Sequence, residues 1–163
     1  MNRLPTKPRL QVLVLCLFLF LPLGACGMYL DNLILCSPVE GQILDDGKPV
    51  AGLKVQRRIL WNVETEARED FATTDSQGRF GFSEVRVSHN FTWLSKYLHM
   101  PSVGIELNLM DSDGEYVLTY LNRNSYKPGA ELGLPIIQMT CDKKNKQVIG
   151  ESLQVIKCEI QRV

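Results

Sequence analysis

Histidine is scarce in this chain. There are two among 163 residues, His89 and His99. Ten positions apart, they do not make the His-x-x-x-His pair that a helix presents to a metal. No Cys-x-x-Cys pair supports a zinc site either, so no metal and no cofactor are expected. No Gly-x-Ser-x-Gly elbow is present for a serine nucleophile. No glycine-rich loop is set to cradle phosphate. Asp111-Ser112-Asp113-Gly114 starts like a calcium loop, but no glutamate closes a twelve-residue loop, so it reads as a hairpin turn. Blocks of five like charges, internal repeats and low-complexity tracts are also lacking. No residue is therefore assigned a catalytic role. A hydrolase whose carboxylates are gathered only by folding stays open as the alternative, because spacing along the chain does not reveal such a pair.

The most specific signal lies at the start. Arg3, Lys7 and Arg9 precede an apolar run from Leu10 to Leu21, broken only by Gln11. Pro22 and Leu23-Gly24-Ala25-Cys26 follow. A basic region, an apolar stretch and small residues before a cut site are the parts of a secretory signal peptide, here 1–25. The run is short for a membrane-spanning helix, which needs about 20 apolar residues. Leu23-Gly24-Ala25-Cys26 resembles the bacterial lipobox. That likeness implies acylation of Cys26 (palmitate among the chains) and retention on a membrane, since several acyl chains hold where one does not. Gly27 in place of aspartate resembles outer-membrane sorting, facing the periplasm. A soluble secreted chain and an uncleaved anchor are the competing readings.

Cleavage after Ala25 would leave 138 residues, enough for one domain. Three basic residues and no acid lie in 1–25, so the remainder carries 15 basic and 18 acidic side chains. A net negative balance argues against a nucleic-acid partner. Export permits disulfides, and Cys36, Cys141 and Cys158 remain for them. Cys141 shares an alternating face with Ile137 and Met139, and Cys158 with Ile156 and Ile160. If these strands pair, Cys141 and Cys158 meet and Cys36 is left over. A bridge from Cys36 to either of them is the competing pairing.

Residues 26–37 read as the lipidated end and a rather apolar tether, and 38–163 as one domain. Alternating apolar positions recur in short runs, around Val39–Ile43, Leu53–Ile59, Phe80–Phe82, Ile105–Leu109, Ile136–Cys141 and Leu153–Ile160, and Tyr116–Leu121 is strand-like on both faces, as suits a central strand. Turn signals divide them: Asp46-Gly47, Asp75 to Gly78, and Asp113-Gly114. About eight strands at this spacing, with little helix, predict an all-β fold, a single β-sandwich. Glu64, Glu66, Glu69 and Asp70 read as a solvated connection. Phe91, Trp93, Tyr97 and Met100 form an apolar and aromatic cluster. It either caps one end of the sandwich or docks a partner, since such side chains are enriched at binding hot spots.

The segments Val39-Glu-Gly-Gln-Ile-Leu-Asp-Asp-Gly-Lys-Pro-Val-Ala-Gly-Leu-Lys-Val and Ala72-Thr-Thr-Asp-Ser-Gln-Gly-Arg-Phe-Gly-Phe resemble the carboxypeptidase regulatory-like, transthyretin-like (prealbumin-like) domain. The resemblance spans 39–85. It implies a transthyretin-like sandwich, here with a C-terminal elaboration of extra strands after the point where that family closes. It also implies an accessory, binding or structural role, because its motif residues are not catalytic. The expected function is a lipid-anchored envelope module with a protein partner, such as an assembly accessory or an immunity-type inhibitor.

Overall fold

The computed structural model describes residues 28–91, 98–150 and 152–161, and the side chains from Asn32 onward within them. Its elements are eleven strands: β1 (Met28–Cys36), β2 (Val39–Asp45), β3 (Lys48–Pro49), β4 (Lys54–Trp61), β5 (Arg68–Thr73), β6 (Arg79–Phe82), β7 (Val85–Phe91), β8 (Val103–Asp111), β9 (Gly114–Arg123), β10 (Ile137–Ile149) and β11 (Leu153–Gln161). Nine form one curled sheet in the order β3-β2-β10-β11-β9-β8-β4-β5, with β6 also on β2. β1 and β7 make a second, antiparallel sheet of two strands. The fold is an all-β sandwich, as the alternation predicts.

Alternation decides which face each strand buries. Val55, Arg57, Ile59 and Trp61 of β4 point inward, as do Val103, Ile105, Leu107 and Leu109 of β8. Ile137, Met139 and Cys141 of β10 meet them from the other side, with Val39 and Ile43 of β2. Leu33, Leu35 and Cys36 of β1 join the same core. The stretch expected to be a tether thus contains a strand. It shifts register between Leu30 and Leu33, beside Asn32 at φ 63°. Asparagine is among the few side chains that accept that conformation, so the kink is local and inexpensive.

The predicted turns carry the β2–β3 and β5–β6 connections. Asp46 and Gly47 have φ 50° and 77°. Two positive values in a two-residue loop match the twist of an antiparallel hairpin. Asp142 holds this turn from β10, its carboxylate accepting the Asp46 and Gly47 N–H groups at 3.0 and 2.9 Å. In the second turn, Asp75 Oδ1 accepts the N–H groups of Gln77 and Arg79, both at 2.8 Å. Gly78 sits there at φ 71°, and a Cβ would meet the Ile43 carbonyl at 2.4 Å, so only glycine fits.

Cys141 and Cys158 face each other across β10 and β11 and are bridged. Cys36 is free and buried, with its Sγ 3.6 Å from Arg57 Nη1. Burial pushes its thiol pKa up to about 11, chiefly by desolvating the thiolate, so it is unreactive at neutral pH.

Buried arginines are the part of the core that alternation does not forecast. Arg123 and Glu131 are an ion pair at 2.8 Å with both side chains fully buried. Arg123 also donates to the Ser125 and Lys127 carbonyls. Glu131 accepts from Ser37 N–H and Oγ–H, both at 2.8 Å. The loop between β9 and β10 is thereby fastened to the junction of β1 and β2. Arg57 makes a two-pronged bond to Asp70 at 2.9 and 2.6 Å, donates to the Ser83 carbonyl, and lies over Phe82.

Two stability predictions follow from these crosslinks. The bridge closes a separation of 17 residues. Replacing both cysteines by alanine should cost about 3 kcal/mol in urea unfolding, the chain-entropy value for a loop of this size. Glu131→Ala strands a buried guanidinium and should cost about 3–5 kcal/mol. The double change Arg123→Met with Glu131→Leu should be less damaging than Glu131→Ala alone, measured in the same way.

Candidate functional site

The two histidines, unrelated by sequence spacing, meet at one end of the sandwich. β7 brings His89 and Phe91, β4 brings Trp61, the run after residue 97 brings His99, and the loop after β9 brings Tyr126. The rings form a continuous series. Trp61 meets His89 edge-on at 5.4 Å, His89 meets Phe91 at 4.5 Å, and Phe91 meets His99 at 4.7 Å. His99 stacks on Tyr126 at 6.0 Å and 9° between planes. Edge-to-face and offset contacts at these separations are the favoured ones, because a ring's positive edge faces its neighbour's negative face.

Hydrogen bonding orders the polar atoms of this series. The Trp61 indole donates to the Tyr126 hydroxyl oxygen at 2.9 Å. An indole nitrogen can only donate, so the phenol keeps its own hydrogen for another partner. His99 Nε2 lies 2.6 Å from that oxygen. The sequence Trp61 N–H to Tyr126 O–H to His99 Nε2 satisfies all three groups with a neutral imidazole. Burial and then the positive field of His89 hold the His99 pKa below its ordinary value of 6.5. Burial raises the Tyr126 pKa. The Glu64 carboxyl pKa is lowered mainly by its hydrogen bonds from Arg68, with a smaller contribution from the charge of His89.

The predicted apolar cluster divides over this scaffold. Phe91 is 5% exposed and belongs to the core, between the two histidines. Met100 is 81% exposed, and Leu98 is 71% exposed. His99 between them points back into the ring series. Trp93, Tyr97, Cys26 and the segment 1–25 lie outside the described residues. The histidines, Trp61 and Tyr126 were not singled out together in the sequence. The signal available was a scarce residue type placed at the end of a strand.

The other expected features are placed as follows. Of the charged connection, Glu64 pairs with Arg68, Glu69 with Arg58 and Asp70 with Arg57. Asp111-Ser112-Asp113-Gly114 is the two-residue hairpin between β8 and β9. Its carboxylates are taken by lysines of β10, Asp111 by Lys143 and Asp113 by Lys146. No group of three or more His, Cys, Asp or Glu stands together as a metal cage among the described residues.

The His99 site makes stability depend on pH. A histidine whose pKa is lower in the folded than in the unfolded state binds its proton better once unfolded. Its stabilising contribution is therefore complete above its ordinary value and is lost as pH falls through the folded one. Thermal stability should fall as pH drops below about 6.5, the ordinary histidine value, and His99→Phe should flatten that slope. The lowered carboxyls Glu64, Asp75, Asp111, Asp113 and Asp142 act at more acidic pH, below their ordinary values, and do not blur the test.

Comparison with known proteins yields a family and little else. No curated protein matches the chain. Among solved structures, chlorocatechol 1,2-dioxygenase from Pseudomonas putida is similar at 14% identity and a TM-score of 0.35, over 77% of this chain and 59% of that enzyme. 3-Chlorocatechol 1,2-dioxygenase from Rhodococcus opacus 1CP is similar at 13% identity and a TM-score of 0.32, over 86% of this chain and 62% of that enzyme. The chain spans about three fifths of either enzyme's length, and likeness at this level carries no argument about activity. A family model covers residues 39–146, from the first residue of β2 into β10. With well over half of its length matched, the chain belongs to the family described as "Domain of unknown function (DUF6795)".

Proposed function

We propose that this protein is a non-enzymatic, lipid-anchored binding module of the bacterial cell envelope. It is held through Cys26, on the outer membrane facing the periplasm, and it docks a partner protein through the segment that ends at Met100. The observation that carries this reading is the pair Leu98 and Met100, 71% and 81% exposed on either side of an anchored His99. Large apolar side chains on a rigid base lose little freedom on docking and remove apolar surface from water. The partner is an envelope protein, either one that the module helps to assemble or a toxin that it neutralises.

A transthyretin-like sandwich, elaborated after β6, belongs to the same proposal. What supports it is the hairpin at Asp46-Gly47 and the Asp75–Gly78 turn leading into Phe80 and Phe82, which occupy the places the resemblance gives them. The hydrolytic alternative requires free carboxylates gathered in a cleft. Against it stands the engagement of Glu64, Glu69, Asp70, Glu106 and Glu131 with arginines.

The test is crosslinked co-purification of the full chain from its native envelope. Leu98→Ser with Met100→Ser should reduce partner capture about tenfold while leaving the melting temperature nearly unchanged. Cys26→Ser should move the protein from the membrane to the soluble fraction. Equal capture by the double variant, or turnover of peptidoglycan, peptide or lipid by the purified protein, would remove the reading.

A further inference from the structure

The outer face of the large sheet carries a groove, one end of which reaches Trp61 of the ring series. On β8 and β9 the outward residues are Gly104, Glu106 and Asn108, with Tyr120 directly opposite Glu106. Tyr120 is 59% exposed, yet its ring is not loose. It lies across Gly104, where a Cβ would stand 2.7 Å from the phenol oxygen and 3.3 Å from the ring carbon bearing it. The missing side chain at 104 lets the ring lie on the sheet with its other face to solvent.

Two depressions meet at this ring. One, of about 270 Å³, is bordered by Asn62, Glu64, Thr65, Ser102 and Tyr120. The other, of about 520 Å³, is bordered by Arg58, Asn108, Glu115, Gln154 and Tyr120. Asn108 is 4% exposed, and its carbonyl oxygen has no hydrogen-bond partner among the described residues. A buried amide oxygen without a partner is uncommon and calls for an explanation.

We propose that this groove binds a neutral oligosaccharide, with Tyr120 as the stacking platform between two sugar subsites. Three features select that class. A sugar ring presents an apolar C–H face, which an exposed flat aromatic ring covers. Its hydroxyls both donate and accept; the groove offers amides and hydroxyls that do the same, and the Glu115 carboxylate, which accepts. Its charge disfavours anions. Arg58 is spent on Glu69 and Glu106, both at 2.9 Å, whereas Glu115 has no ion-pair partner among the described residues. An extended peptide would need a free strand edge or side-chain pockets; β8 is paired on both sides where the groove runs, and β9 meets β11 at Val117–Val155. This inference is independent of the Leu98–Met100 docking segment.

The test is calorimetric titration of the full chain, held in a detergent without a sugar headgroup. The probes are cellotetraose, maltotetraose and the tetramer of N-acetylglucosamine, with tetralysine as the peptide control. At least one saccharide should bind. Tyr120→Ala should weaken it about tenfold or more, and Tyr120→Phe should keep it within about threefold. Gly104→Ala keeps the ring but lifts it from the sheet, and should also weaken binding at an unchanged melting temperature. The proposal is overturned if no saccharide binds at millimolar concentration, if Tyr120→Ala binds as tightly as the parent, or if only tetralysine binds.

Discussion

The parallel pairing of β2 with β10 is the constraint on which the sheet depends. Residues 137–142 lie in register with 39–44, so the end of the chain is built into the sheet beside its first core strand. Antiparallel neighbours can be joined by a tight turn, but a parallel pair needs a long crossover. Here everything from β3 to β9 lies between the two strands. The sheet curls because this join and the parallel contact of β9 with β11 close it on itself around one core. β10 then has β2 on one edge and β11 on the other, which brings Cys158 opposite Cys141 and Asp142 beneath the Asp46-Gly47 turn.

Buried charge fastens what the sheet alone leaves free. The loop between β9 and β10 packs Tyr126 against the core, and Arg123 and Glu131 fasten it further, with Ser37 carrying the attachment to the junction of β1 and β2. A buried ion pair is poor evidence of net stability, because desolvation offsets most of its attraction. Its value here is positional. Only one placement of the loop satisfies both charges, and that placement delivers Ile137 to Val39.

The two proposals use two different surfaces of this frame. At one, rings from three separate segments hold His99 while Leu98 and Met100 stand outside. On the outer face of the sheet, the missing side chain at Gly104 lays Tyr120 flat between two depressions. That second site rests on strands β8 and β9, whose other face is buried, which reduces the ordering cost of an encounter.

Much of the frame is legible in the residues. Alternation in 39–43, 53–59 and 105–109 marks strands because only one face is buried, and that preference is written residue by residue. Asp46-Gly47 and Asp75 to Gly78 mark turns because their conformations need those side chains locally. The Cys141–Cys158 bridge was legible because both cysteines sit on core-facing positions of strands that end the chain. Pairing across a short turn was legible, as for β10 with β11 and β8 with β9, but the parallel pairing of β2 with β10 was not, since it joins residues about a hundred positions apart and depends on how the whole sheet assembles. The same closure hides the aromatic series and the tyrosine platform. His89, His99, Trp61 and Tyr126 share no spacing, and Gly104 and Tyr120 look unremarkable until β8 and β9 lie side by side. The sequence determined which segments are strands, where they turn and which cysteines face the core. The tertiary structure alone decided which distant side chains meet, because those contacts come from register between strands and not from any local preference.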